Sequence, residues 1–242
     1  MKAVVLCAGY GTRLGSLTRE TPKPLLPLQG RPLLEYTLAH LHRCGVGQVG
    51  INLHFEAEQV RRALGDGGRF GLRIEYRHEP TLLGTAGGVR GFADWLGEEE
   101  PFLVLYGDIL TDHDLGALAR AHQDYGGVAT LLLHQRPGSN SLVRREADGR
   151  ISGFVERPTD AERQAHPFPW VNSGIHVLHP SVLRRLPAGE ARDFPRHVFP
   201  SLVEEGSLFG HPLDGYRCAI DSPERYRQAE AAVVEGRYRS AL

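Results

Sequence analysis

The stretch AVVLCAGYGTRL, residues 3–14, decides the fold class of this chain of 242 residues. Residues 3–7 form a short unbroken apolar run, which is typical of a strand buried on both faces of a parallel sheet. Gly9 and Gly11 let the backbone that follows turn sharply and bring N–H groups close to a ligand. Arg13 adds a planar guanidinium group whose geometry suits phosphate. The stretch therefore predicts a buried strand followed by an anion-binding turn.

The glycine-rich turn alone leaves three interpretations open. A dinucleotide-binding turn needs a third glycine where this chain has Leu14, and an acidic residue closing the second strand, where it has Leu53 and His54. A P-loop needs Gly-Lys-Ser/Thr after four spacer residues, which this stretch lacks. A strand-to-helix turn that binds no ligand also fits the glycines. The turn by itself does not name a ligand.

A lysine between two prolines follows the turn. Pro22 and Pro24 flank Lys23 in the segment TPKPLLPL, residues 21–28. Because proline restricts its own backbone and that of the residue before it, the lysine ammonium group is expected in a set position. A stiff surface loop with a solvated lysine is the alternative. The segment on its own favours that alternative, but directly downstream of Gly-Thr-Arg we favour a cation held in a set position.

Apolar periodicity in the first half of the chain alternates between strand and helix. Strands are predicted at residues 3–7, 49–53, 72–76 and 102–106, and helices at residues 32–41, 56–64, 85–96 and 115–125. This order predicts an α/β fold class, a Rossmann-like, doubly wound and mostly parallel sheet with right-handed crossovers.

The pattern changes after about residue 127. Strands are predicted at residues 128–134, 141–145, 151–155 and 171–178, and helices at residues 195–205 and 223–235. The connections between these strands are shorter, so we interpret them as a smaller mixed or antiparallel lobe. We expect one domain over residues 1–242, with no β-helix domain, because no hexapeptide repeat follows the core.

Charge, cysteine content and the N-terminal sequence limit the classes of partner that we expect this chain to bind. The formal net charge of −1 gives no electrostatic indication of nucleic-acid binding. The three cysteines are far apart and include no Cys-x-x-Cys pair, so neither a disulfide framework nor a zinc site is indicated. The N-terminal apolar run is too short for a signal peptide or a membrane span. We therefore expect a cytoplasmic protein with no membrane or nucleic-acid partner.

Two aspartates stand out by position. Asp108 follows the predicted strand at residues 102–106, and the carboxyl ends of parallel strands are where α/β sheets bind ligands. Asp221 lies between a strand-like run and a predicted helix, where capping of that helix is the alternative role. Asp112 and Asp114 form a literal Asp-x-Asp, which we assign to capping the helix predicted from residue 115.

At this point the chain resembles the sugar-1-phosphate nucleotidylyltransferase family, also called NDP-sugar pyrophosphorylases. Gly9-x-Gly11-Thr12-Arg13-Leu14 together with Pro22-Lys23-Pro24-Leu25-Leu26-Pro27 is similar to the family signature. Matching segments continue from Lys2 to about Arg227, and the members that the chain resembles include mannose- and heptose-1-phosphate guanylyltransferases. The resemblance implies an enzyme of EC 2.7.7 type with the nucleotide-diphospho-sugar transferase fold.

The resemblance also implies roles for the two halves of the chain and for individual residues. Residues 1–126 would be the nucleotide-binding half and residues 127–242 the sugar-binding half with C-terminal helices. The residues implied in catalysis are Arg13, Lys23, Asp108 and Asp221, of which Asp108 and Asp221 would bind Mg²⁺. The residues implied in nucleotide binding are Ala8, Gly9, Gly11, Thr12, Arg13, Gly84, Thr85 and Gly107. Those implied in binding the sugar phosphate are Glu156, Arg157 and Asn172.

Departures from the family pattern leave the substrates open. Cys7-Ala8-Gly9 replaces the Ala-Gly-Gly of many members, Arg157 stands where the family has lysine, and Ser222 stands where many have Gly-Thr. Tight helix packing explains the glycines around Gly84 as well as a nucleotide does.

An NTP and a sugar-1-phosphate are the expected partners, and a homodimer is one option for assembly. GTP with mannose- or heptose-1-phosphate is the favoured pair, and a uridylyl- or thymidylyltransferase, for example on N-acetylmuramate-1-phosphate, is the alternative. Outside the family, a glycosyltransferase that uses Asp112 and Asp114 and a non-catalytic regulatory subunit that binds a nucleotide sugar are the rivals.

Overall fold

Thirteen strands and eight α-helices lie along the part of the chain described by the computed structural model, residues 1–239. The strands are β1 Lys2–Leu6, β2 Pro27–Leu28, β3 Arg31–Pro32, β4 Gln48–Leu53, β5 Arg73–His78, β6 Phe102–Tyr106, β7 Ile109–Thr111, β8 Ala129–His134, β9 Ser141–Arg145, β10 Ile151–Glu156, β11 Val171–Leu178, β12 Leu208–Pro212 and β13 Arg217–Ala219. The α-helices are α1 Leu33–Arg43, α2 Ala57–Leu64, α3 Gly84–Arg90, α4 Ala93–Leu96, α5 Leu115–Tyr125, α6 Asp160–Ala165, α7 Phe199–Glu204 and α8 Pro223–Val234. Short 3₁₀ turns cover Thr12–Thr18, Lys23–Leu25, Gly68–Phe70 and Pro180–Arg185, and a π-turn covers Phe194–Val198.

Seven strands form one sheet in the order β12-β8-β11-β6-β1-β4-β5. Strand β1 pairs in parallel with β4, β4 pairs in parallel with β5, and β8 pairs in parallel with β12 and antiparallel with β11. Three small antiparallel sheets join β10 with β9, β13 with β7, and β2 with β3. The predicted α/β fold class with a mostly parallel sheet is confirmed.

Several element boundaries differ from the sequence prediction. The helix predicted over residues 85–96 is two helices, because Phe92 leaves the helical conformation at φ −104° and ψ 9° and buries its ring completely. Strands β7 and β12 were not predicted, and β13 corresponds to the strand-like run noted before Asp221, to which no bounds were given. Helix α6, which a Thr159–Glu162 capping box begins, was also missed.

The described part of the chain forms two compact units, each assembled from separate stretches of sequence. The first unit comprises Met1–Leu82, Leu105–Leu115 and the segment from Asp214 onward, and the second comprises Leu83–Val104 and Gly116–Leu213. The predicted division at residue 126 concerned which ligand each half binds, and it stays a prediction.

A hydrophobic core of the first unit packs the C-terminal helix under the glycine-rich turn. The buried members that share this core are Leu14, Leu26, Leu28, Leu33, Tyr36, Leu110, Cys218, Ile220, Ala229, Ala232 and Tyr238. The hydroxyls of Tyr36 and Tyr226 donate hydrogen bonds to the carbonyls of Leu28 and Pro27. The turn, the lysine segment and β13 are thereby fixed to one another through apolar contacts.

Candidate active site

The glycine-rich turn begins where β1 ends. Cys7 and Ala8 are buried, whereas Gly9 and Tyr10 are exposed. The carbonyl of Gly11 accepts hydrogen bonds from the Leu14 amide and the Thr18 hydroxyl, both at 3.0 Å. The predicted turn is therefore present. Arg13 lies in it, and its side chain is 68% exposed.

Lys23 is held in a fixed position, as its neighbouring prolines predict. Residues Lys23–Leu25 form a 3₁₀ turn with Pro24 buried, and the Leu25 amide donates to the Pro22 carbonyl at 2.8 Å. The ammonium group lies 2.5 Å from Oδ2 of Asp108, and the two side chains are 14% and 22% exposed. Lys23 is thus not a solvated surface lysine.

The two candidate metal aspartates come together through β7 and β13. Asp108 precedes β7, and its carbonyl accepts a hydrogen bond from the Ile220 amide at 2.8 Å. The register pairs Ile109 with Ala219, so Asp108 lies opposite Ile220 and beside Asp221. The backbones of two aspartates far apart in the sequence are therefore neighbours at one end of this strand pair.

Asp221 does not cap the helix that follows it. The cap is Ser222, whose hydroxyl accepts a hydrogen bond from the Arg225 amide at 3.2 Å. The Asp221 carboxylate is instead 3.5 Å from the guanidinium of Arg13. Ser222 therefore takes the helix-capping role that the sequence offered for Asp221. The Asp221 carboxylate lies beside Arg13 of the glycine-rich turn.

Gly107 admits no side chain at the end of β6. A Cβ there would contact Sγ of Cys7 and lie 2.8 Å from the Leu6 carbonyl oxygen, which also accepts a hydrogen bond from the Gly107 amide at 2.9 Å. The close approach of the two backbones sets the position of Asp108 relative to the glycine-rich turn. Burial, followed by the charge of Asp108, raises the pKa of the Cys7 thiol, so Cys7 is not a thiolate nucleophile.

Asp112 has a structural role away from the start of α5, so any capping of that helix by the Asp-x-Asp pair is left to Asp114. One carboxylate oxygen accepts from the Tyr216 amide at 2.6 Å and the other from the Arg239 amide at 2.8 Å. These two bonds attach the segment before β13 and the C-terminal segment to the end of β7. The carboxylate is committed to backbone donors, which weakens the Asp-x-Asp metal interpretation.

Asn52 is a buried residue of the site whose contacts the sequence did not predict. Its Oδ1 accepts from the Cys7 amide at 2.7 Å, and its Nδ2 donates to a Glu79 carboxylate oxygen, also at 2.7 Å. The side chains are nearly inaccessible, with Asn52 3% and Glu79 4% exposed. The sequence did contain one indication of this role, a polar residue near the end of an otherwise apolar, buried strand. Asn52 therefore attaches the start of the glycine-rich turn to the end of β5.

Tyr10 of the glycine-rich turn contacts His54, the residue that follows β4. Its hydroxyl and Nε2 of His54 are 2.7 Å apart, and Nδ1 of His54 is 2.7 Å from the Glu79 carbonyl oxygen. Because the carbonyl can only accept, Nδ1 carries the hydrogen and Nε2 accepts from the tyrosine.

In the second unit, Gly84 and Thr85 begin α3 against the segment at residues 190–193. A Cβ on Gly84 would lie 2.6 Å from the Arg192 carbonyl oxygen, and the Thr85 amide donates to the Asp193 carboxylate at 3.0 Å. The Ala86 amide donates to the same carbonyl at 2.8 Å. These contacts explain the small residues by packing, and a nucleotide contact at Gly84 and Thr85 stays a prediction.

The three residues expected to bind the sugar phosphate also lie in the second unit. Burial raises the pKa of Glu156, and its carboxylate is 3.9 Å from the Arg157 guanidinium. Arg157 has a left-handed backbone at φ 51°, its amide donates to the Asn140 carbonyl at 2.6 Å, and its side chain is 70% exposed. Asn172 is half-buried, and its amide oxygen accepts from the Gly174 backbone at 3.0 Å.

The donor set of Asp108 and Asp221 fits magnesium better than a transition metal. Within residues 1–239 no group of three or more His, Cys, Asp or Glu side chains is placed to hold a metal ion. Mg²⁺ differs from zinc in needing only one or two protein carboxylates, because substrate phosphates and water complete its coordination. Asp108 and Asp221, whose side chains are each 22% exposed and whose backbones are neighbours, supply that number of carboxylates.

Among the described residues, no helix is both long enough and apolar enough to cross a bilayer.

Comparisons with known proteins agree with these features. The chain is 32% identical over 223 residues to a UTP–glucose-1-phosphate uridylyltransferase from Synechocystis sp., covering 86% of this chain and 57% of that protein. It is 32% identical over 238 residues to a mannose-1-phosphate guanylyltransferase from Mycobacterium tuberculosis, covering 97% of this chain and 65% of that protein. The chain thus spans 57% to 65% of the length of these curated relatives.

A solved structure supports the fold. HddC from Yersinia pseudotuberculosis superposes with a TM-score of 0.80 at 21% identity, over 96% of this chain and 99% of that one. The model of the family described as Nucleotidyl transferase matches residues 2–217, a range that contains the glycine-rich turn, Lys23 and Asp108. The chain belongs to the nucleotidyl transferase family.

Proposed function

We propose that the chain transfers a nucleotidyl group from an NTP to a sugar-1-phosphate, giving an NDP-sugar and pyrophosphate. The observation that carries the proposal is the pair of cation–carboxylate contacts, Lys23 with Asp108 and Arg13 with Asp221, beside the glycine-rich turn. Two cations, two carboxylates and a backbone turn with glycines are groups suited to a metal-assisted reaction of phosphates.

The reaction needs no protein nucleophile and no general base. An oxygen of the sugar-1-phosphate attacks the α-phosphorus of the NTP, a new P–O bond forms, and the bond between the α- and β-phosphates breaks to release pyrophosphate. The attacking phosphate is already largely ionised at neutral pH, since its second pKa is about 6. The chain therefore contributes positioning and charge neutralisation.

Each residue has a distinct role in this proposal. Arg13 is exposed and its contact with Asp221 is long, so a phosphate can replace the carboxylate as its partner; we assign it to the departing pyrophosphate. Lys23 is held close to Asp108 and is assigned to the α-phosphate region. Mg²⁺ held by Asp108 and Asp221 would neutralise phosphate charge and align the two substrates.

For the sugar phosphate we propose Glu156, Arg157 and Asn172. For the nucleotide we propose the backbone of Ala8, Gly9, Gly11 and Thr12, together with Gly84, Thr85 and Gly107. GTP with mannose- or heptose-1-phosphate is the favoured pair, supported by Leu83-Gly84-Thr85-Ala86-Gly87, by Asn172-Ser173-Gly174 and by the Mycobacterium tuberculosis relative. UTP or dTTP is the alternative, supported by Ala8, by the Asn52 strand end and by the Synechocystis relative.

The test is pyrophosphate release with Mg²⁺ across four NTPs and a panel of sugar-1-phosphates. Release that requires both substrates supports the reaction, and the best pair names base and sugar. Asp108→Asn and Arg13→Ala are expected to reduce turnover by about a hundredfold or more, because each removes one electrostatic contact with the reacting phosphates.

Matched controls come from an exposed ion pair of the second unit, Arg185 with Glu205. Arg185→Ala and Glu205→Gln make the same chemical changes and are expected to leave turnover unchanged. Full activity in Asp108→Asn contradicts the assignment. Release of NDP from a nucleotide sugar, or tight binding of a nucleotide sugar without turnover, favours the glycosyltransferase or the regulatory subunit instead.

A further inference from the structure

The side-chain amide of Asn172 is held at its oxygen by two donors. The Gly174 backbone N–H lies 3.0 Å from Oδ1, and Nε2 of His176 lies 2.9 Å from the same atom. Because a backbone N–H can only donate, the atom that it meets must be the amide oxygen and not the amide nitrogen. The orientation of the Asn172 amide is thereby determined.

The same bond determines the tautomer of His176. An amide oxygen can only accept hydrogen bonds, and it can accept two. Nε2 of His176, which contacts this oxygen, must therefore carry the hydrogen. Burial lowers the pKa of His176 to about 3, so the ring is neutral at physiological pH. His176 is therefore a neutral imidazole with its hydrogen on Nε2, donating to Asn172.

A bulge in β11 brings the side chains of Asn172 and His176 within hydrogen-bonding distance. Residues four apart on a regular strand are about 13 Å apart. In β11, Asn172 pairs with Leu133 and His176 with Leu131, so four residues of one strand span two of the other. Gly174, at φ 80°, lies in the bulge. The shortening brings the two side chains together.

The imidazole itself is held by aromatic rings. Its centroid is 5.1 Å from that of Phe199 and 6.3 Å from that of Phe194, both with edge-on geometry. These contacts restrict rotation of the ring and keep Nε2 directed at Asn172.

The strand paired with β9 carries a candidate acceptor, Glu156. Strand register sets Glu156 opposite Ser141, whose hydroxyl oxygen accepts from the Asn172 backbone amide at 2.9 Å. A carboxylate that accepts and an amide nitrogen that donates therefore lie on adjacent segments. A sugar hydroxyl, which both donates and accepts, is complementary to such a pair.

We propose that His176 is a positioning residue that fixes the Asn172 amide so that its two N–H groups are what the site offers to the sugar phosphate. The inference rests on the proposed function, in which Asn172 contacts the sugar phosphate. It adds that Asn172 acts there as a donor to a hydroxyl or phosphate oxygen and that His176, without touching the ligand, sets that role.

The first test needs no substrate. ¹⁵N NMR of the ligand-free protein at pH 7.5 is expected to find the hydrogen of His176 on Nε2. A hydrogen on Nδ1, or a doubly protonated ring, overturns the proposal. This measurement does not depend on turnover. A wrong tautomer would overturn the role of His176 without affecting the proposed reaction, and absence of the reaction would not change the tautomer result.

The second test separates the two Michaelis constants. His176→Phe keeps a ring among Phe194 and Phe199 but removes the donor, and we expect the KM for the sugar-1-phosphate to rise about 3- to 10-fold, the effect of one lost hydrogen bond. The KM for the NTP should not change. His176→Gln keeps an N–H donor and should lie closer to the parent protein.

Asn172→Asp is the complementary variant, because it keeps the acceptor for both bonds and removes the N–H donors. We expect its KM for the sugar-1-phosphate to rise at least about tenfold, the effect of a hydrogen-bond donor replaced by an unpaired charge. His122→Phe is the matched control, a buried histidine of the second unit that contacts Thr130. Equal effects of His176→Phe on both Michaelis constants, or an unchanged sugar-phosphate KM in Asn172→Asp, overturns the proposal.

Discussion

Replacing Asn52 by aspartate should expose how strongly the glycine-rich turn depends on one buried amide. Asn52 now accepts from the Cys7 amide and donates to Glu79, each at 2.7 Å. Asn52→Asp keeps the acceptor for Cys7 but sets a second carboxylate against Glu79 at the distance that a hydrogen bond now spans. Both side chains are almost completely buried, so solvent cannot screen the repulsion.

The expected loss follows from that geometry. Breaking a buried charged pair costs roughly 3–5 kcal/mol, and about 3 kcal/mol is a fair expectation because the Cys7 bond survives. In a protein of this length, 1 kcal/mol shifts Tm by about 2–4 °C, so Tm at pH 8 should fall by about 6–12 °C. Binding of the NTP should weaken as well, since Cys7 precedes the turn.

The pH dependence of the variant has a defined sign. Two carboxylates at this distance share one proton, so the folded variant binds more protons than the unfolded chain above about pH 4. Stability therefore falls as pH rises, and the deficit should be smaller at pH 5 than at pH 8. The parent protein provides the baseline for both conditions.

A second substitution should reverse the effect. In Asn52→Asp combined with Glu79→Gln, the new amide at position 79 can donate to the new carboxylate at position 52, so the hydrogen bond is restored with its polarity exchanged. Thermal melts of the four proteins at pH 5 and pH 8 complete a double-mutant cycle. If the double variant is no more stable than Asn52→Asp, or if Asn52→Asp shows no pH-dependent deficit, the reasoning about this pair is refuted.

Three further outcomes are expected. Lys23→Met keeps the aliphatic stem beside Asp108 but removes the charge, so turnover should fall about a hundredfold with little change in Tm, and a fall below threefold would argue against its role. Burial lowers the pKa of His122 to about 4, so its contribution to stability should decline as pH falls from about 6.5 towards 4, and His122→Gln should flatten that part of a Tm–pH curve. Gly107→Ala should cost about 1–3 kcal/mol in unfolding free energy and reduce turnover, whereas Gly47→Ala, where a Cβ meets nothing within 4 Å, should not.

The sequence predicted the parts of this molecule that are encoded locally. A continuous apolar run predicted β1, the glycines predicted the turn, and two prolines predicted a fixed Lys23, each from neighbouring residues. The proximity of Asp108 to the strand end followed for the same reason. These features depend on backbone preferences and burial, which a short window of sequence contains.

Long-range pairings were not predictable in this way. Strands β7 and β13 have three residues each, yet their register brings Asp108 beside Asp221. That Ser222 caps α8, and that Asp112 binds two backbone amides and not the start of α5, depends on distances set by the whole first unit. Side chains of the same type compete for such roles, and only the folded geometry selects among them.

The discontinuity of the first unit has a consequence for how the protein is made. Arg13 and Asp221 are 208 positions apart, and the chain departs into the second unit twice before it supplies Asp221. A ribosome that has released only the first two hundred residues carries the glycine-rich turn and Lys23 but not the carboxylate that Arg13 contacts. The four catalytic candidates therefore come together only after the segment that carries Asp221 has emerged. Any step that needs both Arg13 and Asp221 therefore waits until synthesis has passed β13.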